Sequence, residues 1–394
     1  MQNLHPSSSF RPAQRIEQVS EYYFSRKLRE IAALNAAGAD VISLGVGGPD
    51  RPPHESVVER LCEEAHKDNN HSYQPYTGIP QLRESIASWY KSRYGVELEA
   101  HKEILPLIGS KEGILHISMA FLNAGDGVLV PNPGYPTYSS VSNLVQAQIF
   151  PYELSEESGW MPDFEALEKL PLESIKLMWV NYPNMPTGTN ATRELLERLV
   201  DFARRHSIIV VNDNPYSQIL NPSPMSILEI EGAKECCIEL NSLSKSLNLS
   251  GWRVGMLSTN STFIEWILRV KSNIDSGMFR PLQLAACEAL ALGEEWYQSL
   301  NEIYSSRRKV AAQIMESLGC SYDKDQVGLF LWGKVPESAI SAEKLCDRVL
   351  DEARVFITPG FIFGSQGAQY IRISLCATEE RMGEALERIN QNLK

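Results

Sequence analysis

Five short, nearly continuous apolar runs, at 104–108, 128–130, 175–180, 208–211 and 236–240, recur along the first two thirds of the chain. Segments with apolar residues at helical spacing separate most of them, such as 111–123 and 192–206. A strand that meets water on one side alternates apolar and polar residues, whereas one covered on both sides is apolar throughout. Covered strands alternating with helices call for an α/β fold, a parallel sheet between two layers of helix. Upstream, 16–37 has a helical pattern that stops at Gly38, 41–45 reads as a strand, and 82–95 is an amphipathic helix closed by Gly95. Beyond 276–281 the pattern changes to α+β. Long helices at 281–292 and 294–318 precede strand-like segments at 328–332 and 370–376, and a last helix starts at Glu379. The expected organisation is an N-terminal arm and helix over 1–45 that packs on the second lobe, a large domain over 46–280, and a small C-terminal domain over 281–394.

The 394 residues are 43% hydrophobic, enough for a sizeable core in two or three lobes. A net charge of -12, spread along the chain, argues against nucleic-acid or acidic-membrane partners. Seven cysteines, an odd number, make no disulfide framework and suit a reducing cytoplasm. The seven histidines show no metal-ligand grouping, so no metal is expected; His66 and His71 are the closest pair. The N-terminus lacks an apolar signal segment, and no window is long and apolar enough to span a bilayer. A cytoplasmic protein is expected, its first dozen residues a mobile or partner-gripping arm. No internal repeat stands out.

In open parallel sheets, ligands bind at the carboxyl ends of the strands. After 104–108 comes "GSKEG", a glycine turn that opens a helix and suits a phosphate. After 128–130 comes "PNPGYPTY" with Tyr135, and after 175–180 "NYPNMPTG". "NDNPY", with Asp213 and Tyr216, follows 208–211, and "NSLSKSLNLSGWRVG" follows 236–240. In that last stretch Lys245 sits between Ser244 and Ser246, with Arg253 close behind. Singly, these residues have plain explanations: turns at Gly109 and Pro186, a helix cap at Asp213, a core wall at Tyr135. Together, at five strand ends, they suit an aromatic aldehyde phosphate. A lysine amine condenses with the aldehyde. A carboxylate keeps the ring nitrogen protonated so that the ring withdraws electrons. Tyr135 stacks on the ring, Tyr216 donates to its oxygen, and Ser110, the backbone at Lys111, Ser242, Ser244 and Arg253 gather the phosphate.

These segments, with "YQPYTGIPQLRESIA", "SLGVGGPD" and "YIRIS", resemble the fold-type-I, class I/II aminotransferases that use pyridoxal 5'-phosphate, of the aspartate, alanine and LL-diaminopimelate aminotransferase kind. The motifs keep the family's order from about residue 30 to the end. The resemblance implies a large domain with a mainly parallel seven-stranded sheet covered by helices, plus a smaller α+β domain. It implies Lys245 as the Schiff-base lysine and proton shuttle, Asp213 at the pyridine nitrogen, Tyr216 at the ring oxygen and Tyr135 on the ring face. It also implies a homodimer with sites at the subunit interface, where Tyr73 reaches the phosphate of the other subunit.

Arg372 alternates with apolar residues in "YIRISLC", and a mid-strand charge needs a partner. Either a protein carboxylate serves, or the guanidinium grips the substrate α-carboxylate in two parallel hydrogen bonds; the resemblance points to the second. Gly47 in "GVGGPD" would let that carboxylate approach the backbone, and the string lacks the last glycine of a dinucleotide fingerprint. One departure stands out. The family commonly has asparagine before "PTG", bonding the cofactor's ring oxygen, and here Met185 takes that place. Either Tyr216 acts alone, or Asn181 or Asn184 stands in. The expected activity is transfer of an amino group from an L-amino acid to a 2-oxo acid, glutamate and 2-oxoglutarate being a frequent pair, in amino-acid biosynthesis. A C–S β-lyase could use the same residues. A transcription regulator would need a DNA-binding domain that the roughly forty residues before the first strand cannot hold. The aromatic run Tyr22 to Phe24 is either a lid or helix packing, and Arg280 either meets a distal carboxylate across the dimer or is structural.

Overall fold

The computed structural model describes residues 10–17, 19, 23–338 and 341–393; most of the expected arm, and Tyr22, lie outside them. All five apolar runs form strands of one sheet: β2 (Ile104–Leu107), β3 (Gly127–Asn132), β5 (Ile175–Val180), β6 (Ile209–Asp213) and β7 (Cys237–Ser242), counting β1 as Ile42–Ser43. Two further strands, β4 (Gln148–Glu153) and β8 (Gly255–Ser258), complete seven in the order β2-β8-β7-β6-β5-β3-β4. Only β8 runs against its neighbours, so the sheet is mainly parallel. The resemblance implied seven strands, but no apolar run marked these two. β4 is an edge with one buried residue and carries no apolar run. β8 follows a single tight turn, Ser250–Trp252, after which the chain extends again.

Both faces of the sheet are covered. Leu177 and Trp179 of β5 feed one core, and Met178 and Val180 the other, as the two-residue period of a strand requires. Helices Ser110–Phe121 and Ser261–Lys271 close the first face through Ile114, Ile117, Ile264 and Ile267. Helices Pro80–Tyr94, Arg193–His206 and Arg280–Leu290 close the second. The last of these lies just past residue 280 yet shares its core with the large sheet.

A second core surrounds β9 (Ser321–Tyr322), β10 (Phe330–Lys334), β12 (Thr358–Pro359) and β13 (Tyr370–Ser374), an antiparallel sheet in the order β12-β13-β10-β9, with β11 (Val355–Phe356) beside it in sequence. Helices Glu294–Ser317, Ala342–Ala353 and Glu379–Asn392 pack on it. Of the N-terminal helix expected over 16–37, the described residues form Gln14–Glu17 and Tyr23–Ala36, and Gly38 follows at φ +88°. Its Ile31 packs with Val41, Leu350 and Phe356, and β1 pairs in parallel with β11, so this N-terminal segment belongs to the second core.

Two buried charges fix parts that meet the cavity. Arg307, 4% exposed, donates through both terminal nitrogens to Asp50 at 2.7 and 2.8 Å and to the Leu375 carbonyl at 3.0 Å. This anchors the loop after β1 to the end of β13. Glu239 on β7 is fully buried and accepts from Ser226 Oγ (2.8 Å), Ile227 N (3.0 Å), Asn212 Nδ2 (3.3 Å) and Asn214 Nδ2 (3.4 Å). The two asparagines flank Asp213, so the network holds the end of β6 from the face opposite the Asp213 side chain.

Asp50→Ala would leave the Arg307 guanidinium buried without its carboxylate and is expected to cost about 3 kcal/mol in denaturant unfolding; a loss under about 1 kcal/mol would show that the pair does not anchor this loop. Burial pushes the Glu239 carboxyl from an ordinary 4.5 up to about 7. Between those values the folded chain holds a proton that the unfolded chain releases, so this contribution to stability is full below about pH 4.5 and is lost as pH rises through about 7. Glu239→Gln removes the titration. Its stability relative to the parent is expected to climb from pH 5 to pH 8, and a difference that stays constant across that range would contradict the assignment.

Candidate active site

The carboxyl ends of the large sheet's parallel strands open into a cavity of about 420 Å³ that the second core's β10 and β13 wall on the far side. Each strand end delivers its residue by a local device. Gly109, at φ +79°, turns the chain from β2 into helix Ser110–Phe121, and a Cβ there would meet Arg253 Nη2 at 2.2 Å. Gly255 lies so close to that helix start that a Cβ would meet Ser110 N at 2.5 Å. β7 ends at Ser242 and runs into a tight turn that carries Ser244 and Lys245.

Asp213 is the last residue of β6. Its Oδ2 accepts from Tyr138 Oη at 2.9 Å, while the buried Oδ1 has no hydrogen-bond partner among the described residues. Burial raises its carboxyl from 3.8 to about 6, against the lowering effect of Tyr138 and of the Lys245 charge. An oxygen kept dry and unanswered in this way is costly unless a ligand supplies the donor. Tyr138 stacks on Trp179 at 5.0 Å and meets Tyr135 edge-on at 5.6 Å, which ties Tyr135 to the same wall.

Lys245 Nζ donates to the Gly47 carbonyl at 2.5 Å. Burial lowers its pKa, and the Arg372 and Arg253 cations add to the effect. Tyr216 lines the cavity beside it; burial drives the phenol's pKa up, so its hydroxyl keeps a proton to donate. Arg253 sits in the left-handed region at φ +58° and is steadied by the Ser250 carbonyl at 2.8 Å and Ser244 Oγ at 3.5 Å. Ser242 Oγ accepts from Ser244 N at 3.1 Å. Ser110, Lys111, Ser242, Ser244 and Arg253 thus converge at one end of the cavity, beside a helix N-terminus.

At the other end, β13 presents Arg372. The Phe330 and Phe363 rings cover its guanidinium at 3.9 and 4.6 Å. Nη2 donates to the Gly45 carbonyl at 2.8 Å, and Nη1 rests on Met185 Sδ at 3.1 Å. A thioether is a weak acceptor, easily replaced by a carboxylate. Gly47 faces the same side chains; a Cβ there would meet the Phe330 ring at 2.2 Å.

Of the residues singled out from sequence, Gly47, Ser110, Lys111, Tyr135, Asp213, Tyr216, Ser242, Ser244, Lys245, Arg253 and Arg372 all line this cavity. Asn184 does not. It turns into its own loop, where Oδ1 accepts from Thr187 Oγ1 at 2.9 Å. Asn181 lines the cavity, but both ends of its amide are taken, by the Asp213 carbonyl and by Met185 N. Tyr216 therefore remains the donor at the position that Met185 leaves without one. Tyr73 is 90% exposed and away from the cavity, as is half-buried Arg280. Of the aromatic run, Phe24 lines the cavity, and Tyr23 packs edge-on against Phe361 at 5.7 Å. Tyr138, Phe330 and Phe363 were missed; Tyr138 stood within "PNPGYPTY", three residues after Tyr135.

The fold also gathers a group that residue spacing hides. Glu112, His116 and Asp275 bring ligand-type atoms within 4.8 Å of one another, although the Lys271 ammonium already lies 2.5 Å from Asp275. All seven cysteines are free, and no helix among the described residues is long and apolar enough to cross a membrane.

These residues fit pyridoxal 5'-phosphate. The unanswered Asp213 oxygen suits a ring N–H, the hydroxyls and Arg253 at the helix start suit a phosphate, and the pKa-lowered Lys245 suits an aldehyde. The family model for aminotransferase class I and II matches residues 39–389. The LL-diaminopimelate aminotransferase of Halothermothrix orenii is 40% identical over 385 residues, 97% of this chain and 99% of that one. That of Aquifex aeolicus is 39% identical, covering 98% and 100%. Among solved structures, substrate-bound BacF from Bacillus subtilis superposes with a TM-score of 0.92 at 34% identity, over 98% of each chain.

Proposed function

Because the chain belongs to the class I and II aminotransferases and is an enzyme that depends on pyridoxal 5'-phosphate, we propose a role for each residue of its cavity. One observation carries the reading: a low-pKa lysine, a buried carboxylate with an unanswered oxygen and an arginine that rests on a backbone carbonyl and a thioether line the same cavity. When bound, the cofactor supplies a ring that draws electrons from the substrate's α-carbon.

Lys245 moves the proton at that α-carbon. Burial and the two arginines favour its neutral amine, which is the form able to accept a proton near neutral pH. The Gly47 carbonyl receives the amine when it is free. Asp213 holds the proton on the ring nitrogen, and the Tyr138 hydroxyl keeps its carboxylate aimed. Tyr216 donates to the ring oxygen, without help from an amide. Tyr135 packs on the ring face. Ser110, the Lys111 backbone, Ser242, Ser244 and Arg253 hold the phosphate. Arg372 exchanges the Met185 thioether for the substrate α-carboxylate, its guanidinium kept in plane by Phe330 and Phe363. Glutamate and 2-oxoglutarate form one amino donor and acceptor pair. The enzyme acts in the cytoplasm as a homodimer in which Tyr73 of one protomer reaches the phosphate site of the other; its 90% exposure within one chain supports this.

The first test is the visible spectrum of the protein with pyridoxal 5'-phosphate, before and after L-glutamate without any keto acid. Conversion to the pyridoxamine spectrum is expected; an unchanged band would contradict glutamate as donor. Met185→Asn adds an amide donor near the ring oxygen and is expected to move the midpoint of the visible band's pH titration to lower pH, because a donor favours the charged oxygen. Superimposable titrations would show that position 185 does not reach the cofactor.

A further inference from the structure

Met185 is the one methionine among the described residues that line the cavity. Its backbone is held. Met185 N donates to Asn181 Oδ1 at 2.7 Å, and within the same loop Asn184 N donates to the Thr189 carbonyl and Gly188 N to the Asn184 carbonyl, each at 2.8 Å. The side chain is freer, because a methionine turns about three bonds and its sulfur is polarizable. It belongs to the second core with Phe330 and Phe363, and Arg372 Nη1 meets its Sδ at 3.1 Å.

A thioether holds a guanidinium weakly, which suits a seat that a substrate carboxylate takes over. One added oxygen reverses this. A sulfoxide is polar, and its oxygen accepts a hydrogen bond far better than the sulfur did. Arg372 is 4% exposed, and the Phe330 and Phe363 rings lie 3.9 and 4.6 Å from the centre of its guanidinium. In so dry a place a strong acceptor fixed to the protein is always at hand and competes with a carboxylate that has to arrive from solution. Rotation of the Met185 side chain lets the oxygen take the position that the sulfur has now.

Resting on the aminotransferase reading of this cavity, we propose that Met185 is a site of reversible oxidation by hydroperoxides, and that its sulfoxide holds Arg372 and keeps amino acids from binding. The thioether sulfur attacks the terminal oxygen of the hydroperoxide. An S–O bond forms as the O–O bond breaks, and the sulfur gives up two electrons. The proton on the transferred oxygen passes to the oxygen that leaves, as water from hydrogen peroxide or as an alcohol from an organic hydroperoxide. Met185 is 5% exposed, but it lines a cavity of about 420 Å³, ample for hydrogen peroxide. Met119, 50% exposed on helix Ser110–Phe121 and outside the cavity, oxidises as well without reaching Arg372. The free cysteines also react with peroxide, but a dithiol reduces their sulfenic acids and disulfides and leaves a methionine sulfoxide in place.

The full chain loaded with pyridoxal 5'-phosphate is treated with hydrogen peroxide, then with dithiothreitol, and compared with the untreated protein. Peptide mass mapping is expected to find one added oxygen on the peptide containing Met185, with the cofactor's visible band retained. The L-glutamate concentration that half-saturates the half-reaction is expected to rise at least about tenfold, because a competing acceptor now holds the arginine. The rate at saturation is expected to stay within about twofold. Methionine sulfoxide reductase restores the untreated saturation curve. In Met185→Leu, which conserves volume and has no sulfur to oxidise, the same treatment leaves that variant's own curve unchanged. Three results would each overturn the proposal and leave the aminotransferase reading standing: Met185 unmodified when Met119 is fully oxidised, a modified Met185 with an unshifted curve, or an equal shift in Met185→Leu. If L-glutamate does not convert the untreated protein, L-alanine takes its place, and no conversion by either would overturn both readings.

Discussion

The Asp213 carboxylate is held in the protein interior with one oxygen bonded to Tyr138 and the other bonded to nothing described. Much of the surrounding structure follows from that choice. A carboxylate in such a place drifts toward its neutral form, here to about 6, unless a cation arrives to use it. The fold therefore holds it from behind: Asn212 and Asn214 point to the opposite face of β6 and bond Glu239, itself buried and raised to about 7. Two buried carboxylates on adjacent strands are tolerable because the alternation of side chains sends one to the cavity and the other to the core. A protonated cofactor ring is the ligand that such an arrangement stabilises most.

The rest of the cavity is made by two cores meeting. The large sheet brings Ser110, Asp213, Tyr216, Ser242 and Lys245 to its strand ends. The second core contributes Arg372 on β13, with Phe330 and Phe363 over its faces. The segment between β1 and Asp50 joins them: Gly45 accepts from Arg372, Gly47 accepts from Lys245, and Asp50 pairs with Arg307. One short loop thus touches Arg372, Lys245 and the buried ion pair. A shift of that loop would be felt at both ends of the cavity, which accounts for glycines where a side chain would strike Phe356 or Phe330.

The strands with uninterrupted apolar runs were legible because burial on both faces leaves no polar position to confuse the reading. β4 and β8 were not: one is a solvent-exposed edge, and the other follows a turn whose glycines and Trp252 resemble a helix start. The lining of the cavity at the strand ends was legible because each of its polar residues there follows an apolar run within a few positions. Asn184 misled, since its place in "NYPNMPTG" does not reveal that Thr187 draws its side chain into the loop. Phe24 and Leu28 lie over two hundred residues from Lys245 in sequence, and nothing local marks which face of their helix would close over the cavity. Glu112, His116 and Asp275 come together for the same reason, by folding rather than by spacing.

Every role proposed for the cavity requires that Lys245 be the lysine bonded to the cofactor. Borohydride reduction of the protein loaded with pyridoxal 5'-phosphate would fix that bond, and peptide mass mapping would locate it. The phosphopyridoxyl mass is expected on the peptide containing Lys245, with Lys111 unmodified. The label on Lys111 or any other lysine, or no label at all, would contradict it.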